Sequence, residues 1–146
     1  MDKRIERFIR RHHVLTLATT AVVEEGGRPE PWTAHVFYAY LPDNQELVFT
    51  TDPATRHGRE MLANPSVSGG IVLETKVIGK IRGIQLTGTA RQVVEGESRY
   101  RTAYLRRFPF AIAAKLDLWV LEVGYVKMTD NRMGFGKKIE ETRKKD

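Results

Sequence analysis

The sequence predicts a mainly β protein of the α+β class, a small six-stranded antiparallel β-barrel with flanking helices, in a single domain spanning residues 1–146. Short turns join the early β-like stretches, as is typical of antiparallel neighbours, and neither β–α–β alternation nor an internal repeat is present. An antiparallel sheet that must hide its edges tends to close into a barrel. The predicted strands lie at 14–20, 32–41, 46–51, 67–74, 82–94 and 118–129.

Residue type and spacing justify each strand in turn. The first two strands are rich in β-branched and aromatic residues and flank a Gly-rich turn at 24–29. Pro42, Asp43 and Asn44 then turn the chain into the third strand. The fifth strand alternates apolar and polar residues, which predicts one buried and one exposed face.

Three helices are predicted from helical spacing of apolar residues and from start and stop signals. Asp2 can cap the first helix, in which Ile5, Phe8 and Ile9 share one face. Pro109 follows the end of the last helix. The predicted helices lie at 3–11, 55–63 and 97–107.

Composition limits the classes of function. The net charge of +6 is spread along the chain without a nucleic-acid motif, so nucleic acid is not an expected partner, whereas a smaller anion such as a phosphate ester fits this charge. The chain has no cysteine, which excludes disulfides and thiolate metal sites. No signal peptide or membrane span is recognised, and we expect a cytoplasmic protein whose residues from about 140 to 146 form a flexible basic tail.

A cluster of polar residues follows the third strand. Thr50 and Thr51 end that strand, and Thr55, Arg56 and His57 open the next helix. Hydroxyls, a guanidinium and the N–H groups of a first helical turn together suit a phosphate dianion. An alternative is that Thr55 only caps the helix and that Arg56 pairs with an acid such as Glu60.

Three other features allow more than one interpretation. The stretch Gly134-Phe135-Gly136-Lys137-Lys138 predicts either a loop that closes over a ligand or a turn whose Phe135 packs on the barrel. Trp32 and Trp119 are more typical of a core or an interface than of ligand stacking. His12 and His13 lack converging ligands, so no metal site is predicted, and no catalytic residue is assigned.

The segment LVFTTDPATRHG at 47–58 resembles the phosphate-binding segment of the FMN-binding split-barrel superfamily that includes pyridoxamine 5′-phosphate oxidase. Asn64-Pro65-Ser66-Val67-Ser68 is similar to the sequence that starts the next strand in that family. Residues 84–93, IQLTGTARQV, also resemble a family strand. The C-terminal part, with TDN at 129–131 and GFGKK at 134–138, resembles the uncharacterised bacterial YhbP-like branch.

This resemblance implies a split barrel that binds FMN, with FAD and coenzyme F420 as alternatives, in a homodimer whose cofactor site lies at the subunit interface. Thr55, Arg56 and His57 would hold the phosphate, with His57 where the family usually has lysine. Arg82 or Gly83 would approach from the second subunit. The remaining residues implied to line the cofactor are His35, Val36, Phe37, Tyr38, Tyr40, Thr50 and Thr51.

The implied function is that of a flavin-dependent oxidoreductase with an unknown small-molecule substrate. Oxidation of pyridoxamine phosphate is not implied, because the substrate-binding residues near the C-terminus of the oxidase have no counterpart in this sequence. The alternative is a non-enzymatic protein that binds flavin, haem or another anionic ligand.

Overall fold

A computed structural model describes residues 1–143. Its antiparallel sheet has the order β3-β2-β1-β4-β5-β6-β7, and an additional β3–β6 pairing closes the first six strands into a barrel. This closure confirms the predicted six-stranded antiparallel barrel with flanking helices. The strands are β1 Val14–Thr20, β2 Pro31–Leu41, β3 Glu46–Thr50, β4 Ser66–Val72, β5 Arg82–Gln92, β6 Leu118–Asp130 and β7 Lys138–Thr142.

The long strand β6 has two partners along one edge. Its first part pairs with β3, from Leu118 to Glu122, and its second part pairs with β7, from Tyr125 to Thr129, while β5 covers the other edge. The seventh strand corrects the prediction of a flexible tail from about residue 140, since residues 140–142 belong to β7. Residues 144–146 of that predicted tail lie outside the described residues.

Within residues 1–143, three α-helices flank the barrel: α1 Lys3–Arg11, α2 Arg56–Ala63 and α3 Ser98–Arg107. Asp2 caps α1 by accepting a hydrogen bond from the N–H of Arg4, as predicted. The apolar face of α1 is buried, and the Tyr38 hydroxyl donates to the carbonyl of Ile9 over 2.6 Å. Short 3₁₀ helices lie at Ile78–Lys80, Pro109–Ala113 and Asn131–Met133.

The barrel interior is filled by aliphatic and aromatic side chains, and β5 bends around it at a bulge between Thr87 and Gly88. A Cβ on Gly88 would collide with the carbonyl oxygen of Glu122, so the close approach of β5 and β6 at the bulge requires glycine. The largest fully buried side chains of the interior are Trp119, Tyr38, Phe49, Ile5, Ile9, Leu15, Leu17 and Leu47.

The last helix is fastened to the barrel by buried polar contacts. The Tyr100 hydroxyl lies 3.0 Å from an oxygen of buried Glu46, and Arg99 extends this contact from α3. Arg107, at the end of α3, donates to the carbonyls of Arg10 and His12 and so joins α3 to α1. Among residues 1–143, no helix has the length and apolarity that a membrane crossing requires.

Candidate functional site

The polar cluster predicted from the sequence assembles where β3 ends and α2 begins. Thr55 is the N-cap of α2: its Oγ1 accepts from the Gly58 N–H at 3.1 Å and donates to the Asp52 carbonyl at 2.7 Å. Gly58 allows this tight turn, because a Cβ there would lie 2.6 Å from the Asp52 carbonyl oxygen. The cap leaves the first N–H groups of the helix directed out of its start, as an anion site requires.

The His57 side chain contacts two hydroxyl groups of this turn. Its Nε2 lies 2.5 Å from Thr51 Oγ1 and 3.3 Å from Thr55 Oγ1. Because Thr55 Oγ1 donates to Asp52, its contact with Nε2 uses it as an acceptor. Burial lowers the pKa of His57 below its usual 6.5, and the nearby carboxylate of Glu60 only partly opposes this. The imidazole is therefore neutral at pH 7.

Arg56 is held by two acids and an aromatic ring. Its Nε donates to Glu60 over 3.2 Å, its Nη2 donates to Glu30 over 3.2 Å, and its guanidinium carbon lies 4.3 Å from the centre of the Trp32 ring. Glu60 is itself buried and accepts a second hydrogen bond from Thr19. The structure thus contains the Thr55 cap and the Arg56–Glu60 pair that the sequence offered as the alternative. Nη1 has no hydrogen-bond partner among residues 1–143, so the guanidinium keeps donors available.

Thr50 turns away from this cluster. Its hydroxyl donates to the carbonyl of Asp117, just before β6, at 3.2 Å. The Thr51 backbone joins the same region, because its carbonyl accepts from Trp119 Nε1. Thr50 therefore fastens β3 to β6, while Thr51 presents its hydroxyl to His57.

The five residues of β2 that were predicted to line the cofactor lie on two different faces of the strand. Val36, Tyr38 and Tyr40 are buried in the barrel, so that only their backbone groups remain for a ligand outside it. His35 is exposed on the outer face, where Nδ1 lies 3.0 Å from Thr16 Oγ1. Phe37 is 56% exposed and packs against Phe108 with tilted rings whose centres are 5.6 Å apart.

The two residues predicted to approach from a second subunit lie in different places. Gly83 lines a shallow hollow of 340 Å³ on the outer face of β1, β4 and β5, together with Thr16, the neighbour of His35. Arg82 lines a separate cavity beside α1. Within one protomer, Gly83 therefore shares this hollow with Thr16, which contacts His35, and Arg82 lies elsewhere.

The loop between β6 and β7 exposes its aromatic residue. Phe135 is 85% exposed, so the interpretation in which it packs on the barrel is wrong. Gly134 and Gly136 both have positive φ, and the N–H of Gly136 donates to the Asn131 side chain. The interpretation in which this loop closes over a ligand stays a prediction.

Sequence reasoning missed three residues that shape the site. Glu30 and Trp32 flank Arg56, and Thr16 contacts His35. Thr16 had a signal, since strand alternation places it on the outer face of β1. Glu30 and Trp32 had none, because the pairing of β1 with β2 is what brings them to α2.

This closed barrel, with a hydroxyl-rich helix start beside one of its strands, defines a protein of the split-barrel class. A model of the family described as pyridoxamine 5′-phosphate oxidase matches residues 1–130, and the chain belongs to that family. It is 42% identical over 137 residues to a UPF0306 protein from Photorhabdus laumondii, covering 92% of this chain and 91% of the relative. It is 37% identical over 140 residues to a UPF0306 protein from Yersinia pseudotuberculosis, covering 95% and 91%.

Solved structures share the fold. A heme binding protein from Mycobacterium smegmatis has a TM-score of 0.69 at 26% identity; the match covers 89% of this chain and 52% of that one, so this chain spans about half of its length. An FAD-binding protein from Mesorhizobium loti has a TM-score of 0.65 at 16% identity, covering 86% and 89%. HutZ, the heme storage protein of Vibrio cholerae, has a TM-score of 0.60 at 17% identity, covering 84% and 87%.

Proposed function

We propose that the protein binds FMN, with the phosphate at the start of α2, and acts as a flavin-dependent oxidoreductase on a small molecule. The observation that carries this proposal is the meeting of Thr51, Thr55 and His57 within 3.3 Å beside Arg56 at a capped helix N-terminus. Hydroxyl, guanidinium and backbone N–H groups are the donors that a phosphate dianion needs. Family membership supports the same ligand.

The donor set fits a phosphate, although part of it is already engaged. Arg56 shares its charge with Glu60 and Glu30, but its Nη1 donors are not used among residues 1–143. The neutral His57 adds no charge, and its single N–H, at Nε2, is already directed at Thr55 Oγ1. The grip proposed here is therefore weaker than one made by a guanidinium and an ammonium, and FMN is expected to exchange with solution.

The outer face of the barrel supports a place for the rest of the cofactor. His35 and Phe37 face outward from β2, and Thr16, which contacts His35, lines the hollow that also includes Gly83. We propose that the flavin ring uses this face, with β2 contributing backbone groups at its buried positions. Bound flavin would supply the redox chemistry, and these residues would bind and orient it.

A homodimer is part of the proposal. The outer faces of β1, β4 and β5 carry small and hydroxyl-bearing side chains around a broad hollow of 640 Å³, which gives a smooth surface for a second copy. The smooth surface favours close packing of another sheet, because no long charged side chain has to be desolvated there. The residues that form it include Ala18, Thr20, Ser66, Ser68, Thr87 and Thr89.

The alternative function is non-enzymatic binding of flavin, haem or another anionic ring compound. The structural similarity to a heme binding protein and to a heme storage protein favours including haem. Turnover separates the two functions: an oxidoreductase must pass electrons from a reductant to a substrate, whereas a binder must not.

The experiment that tests the proposal is a spectroscopic titration of the purified protein with FMN, FAD, coenzyme F420 and haem. We expect FMN to bind with quenched fluorescence, and NAD(P)H to bleach the bound flavin. If the protein binds haem and no flavin, the alternative of a non-enzymatic binding protein would replace the proposal. A protein that binds no flavin would contradict the proposed FMN site. If NAD(P)H reduces the bound flavin but no acceptor reoxidises it, the proposal of an FMN site would stand and the proposal of oxidoreductase activity would be rejected.

A further inference from the structure

We propose a second ligand site, for a small polyanion, in a cavity walled by arginines between α1 and the far end of β6. The cavity holds 230 Å³ and is distinct from the residues proposed to hold FMN phosphate. Its floor is apolar, formed by Phe8, Met128 and Ile139. The charged side chains that line it are Arg4, Arg7, Arg11, Arg82, Arg132 and Asp130.

Helical spacing places three of these cations on one wall. Arg4, Arg7 and Arg11 stand at positions i, i+3 and i+7 of α1, so they share one face of the helix. That face borders the buried stripe containing Phe8, which anchors the helix on the barrel. The arginines are consequently held at the rim of a cavity that the barrel closes from below.

Only part of this charge is neutralised by the protein. Arg4 pairs with Asp2 and Arg132 pairs with Asp130, each over 2.8 Å. Among residues 1–143, Arg7 and Arg82 have no acidic partner within ion-pair distance, and the same holds for Arg11. The Arg132 guanidinium and, more weakly, the positive charge of Arg82 lower the pKa of Asp130, so this one carboxylate stays charged and faces both cations.

Arg82, one of the charged residues that line the cavity, has a buried donor without an acceptor. Its Nε is the one buried side-chain nitrogen or oxygen atom among the described residues that lacks a hydrogen-bond partner. Buried donors are rarely left unpaired in native proteins. Arg82 also lines the cavity, so an anion there can accept from the other N–H groups of the same guanidinium.

The unpaired, exposed arginines of α1 repel each other weakly when no ligand is bound. Arg7 and Arg11 are four residues apart on the helix surface, and like charges at that spacing repel. Neither makes a hydrogen bond or ion pair within residues 1–143 that would offset this repulsion. A bound anion with two or more charges would offset it, because each guanidinium can donate to phosphate or carboxylate oxygens.

The size of the cavity favours a small ligand over a macromolecule. It is smaller than the roughly 300 Å³ at which pockets for drug-sized ligands begin. A compact phosphate-bearing anion matches both this volume and the fork geometry of arginine. Nucleic acid would instead bind along an extended basic surface. Tighter binding of duplex DNA is therefore the competing outcome of the test.

The test is calorimetric titration of the full chain with pyrophosphate at constant ionic strength. We expect the double variant R7Q/R11Q to weaken pyrophosphate binding by about tenfold or more. The matched control is R101Q/R106Q, which removes the same charge from two exposed arginines of α3. We expect R101Q/R106Q to bind pyrophosphate as the wild type does, and R56Q is titrated in parallel to detect pyrophosphate bound at the start of α2.

Several outcomes would overturn this site. Equal losses in R7Q/R11Q and R101Q/R106Q would show general charge attraction rather than a site. A loss confined to R56Q would assign pyrophosphate binding to the start of α2. Wild-type protein that binds no pyrophosphate at millimolar concentration, or that binds duplex DNA more tightly at equal phosphate concentration, would contradict a small-anion cavity. Circular dichroism confirms that each variant is folded before titration.

Discussion

Arg56 and Glu60 form an ion pair along one face of α2, with Arg56 Nε 3.2 Å from Glu60 Oε2. Glu60 is buried, and its other oxygen accepts from the Thr19 hydroxyl over 2.9 Å. The hydrogen bond from Thr19 of β1 thereby holds the Glu60 carboxylate in place. The carboxylate in turn holds the Arg56 guanidinium beside Trp32. The pair positions a cation at the start of the helix, where a cation alone would be unfavourable to the helix dipole.

Glu30 competes with a phosphate for Arg56. Its carboxylate is 78% exposed and pairs with Nη2, so it contributes little to stability yet occupies a donor. We predict that E30Q tightens FMN binding by about two- to fivefold, measured by fluorescence quenching. The matched control is E25Q, an exposed acid of the same connection, for which no change is expected. Weaker binding by E30Q would mean that Glu30 orients Arg56 productively.

The Thr55 cap makes a prediction about stability. T55A removes the oxygen that accepts from the Gly58 N–H, and we expect the free energy of unfolding to fall by about 1 kcal/mol. T55S keeps the hydroxyl and should retain most of that free energy. Urea denaturation of the three proteins measures the effect. A T55A protein as stable as the wild type would contradict the cap geometry.

The pKa of His57 predicts how stability depends on pH. Burial lowers this pKa, so the unfolded chain takes up a proton near pH 6.5 while the folded protein takes one up only at lower pH. The free energy of unfolding should therefore decrease as pH falls below 6.5. We predict a shallower decrease for H57Q, measured by denaturation between pH 7 and pH 5. A decrease as steep as that of the wild type would place His57 in a solvated setting.

The shared-site proposal predicts that dimerisation and FMN binding fail together. S68R puts a long cation in the middle of the smooth face of β4, opposite Thr87 of β5. We expect S68R to run as a monomer in size-exclusion chromatography with light scattering, and to bind FMN weakly. T102R, which adds the same charge on exposed α3, should do neither. A monomeric S68R that binds FMN normally would show that one protomer is sufficient.

The sequence predicted six strands and three helices because their hydrophobic patterns are local. It missed β7, Lys138–Thr142, since Ile139 is the one apolar residue of that strand and the pairing with β6 is a tertiary event. It placed residues 35–40 together on the ligand, although strand alternation alone sends Val36 and Tyr38 into the core. The period of two along β2 is a local signal, and it correctly separates these two side chains from His35 and Phe37.

Around the predicted phosphate-binding segment, local contacts could likewise be predicted from the sequence and tertiary contacts could not. The cap by Thr55 and the pair with Glu60 lie within one helical turn or so of Arg56, and the sequence contained both as alternatives. Glu30 comes from the β1–β2 connection, and no local spacing connects it to α2. The cavity beside α1 forms only where residues of β5, β6 and β7 pack next to the helix. The sequence therefore indicated only a basic helix.

The measurement that tests the central claim most directly is the affinity of wild-type protein and R56A for FMN and for riboflavin, which lacks the phosphate. We predict that R56A weakens FMN binding by about 1.5–3 kcal/mol, roughly ten- to 150-fold, and leaves riboflavin binding nearly unchanged. R101A serves as the matched control. Equal losses for the two ligands, or a wild type that does not distinguish FMN from riboflavin, would contradict a phosphate grip at the start of α2.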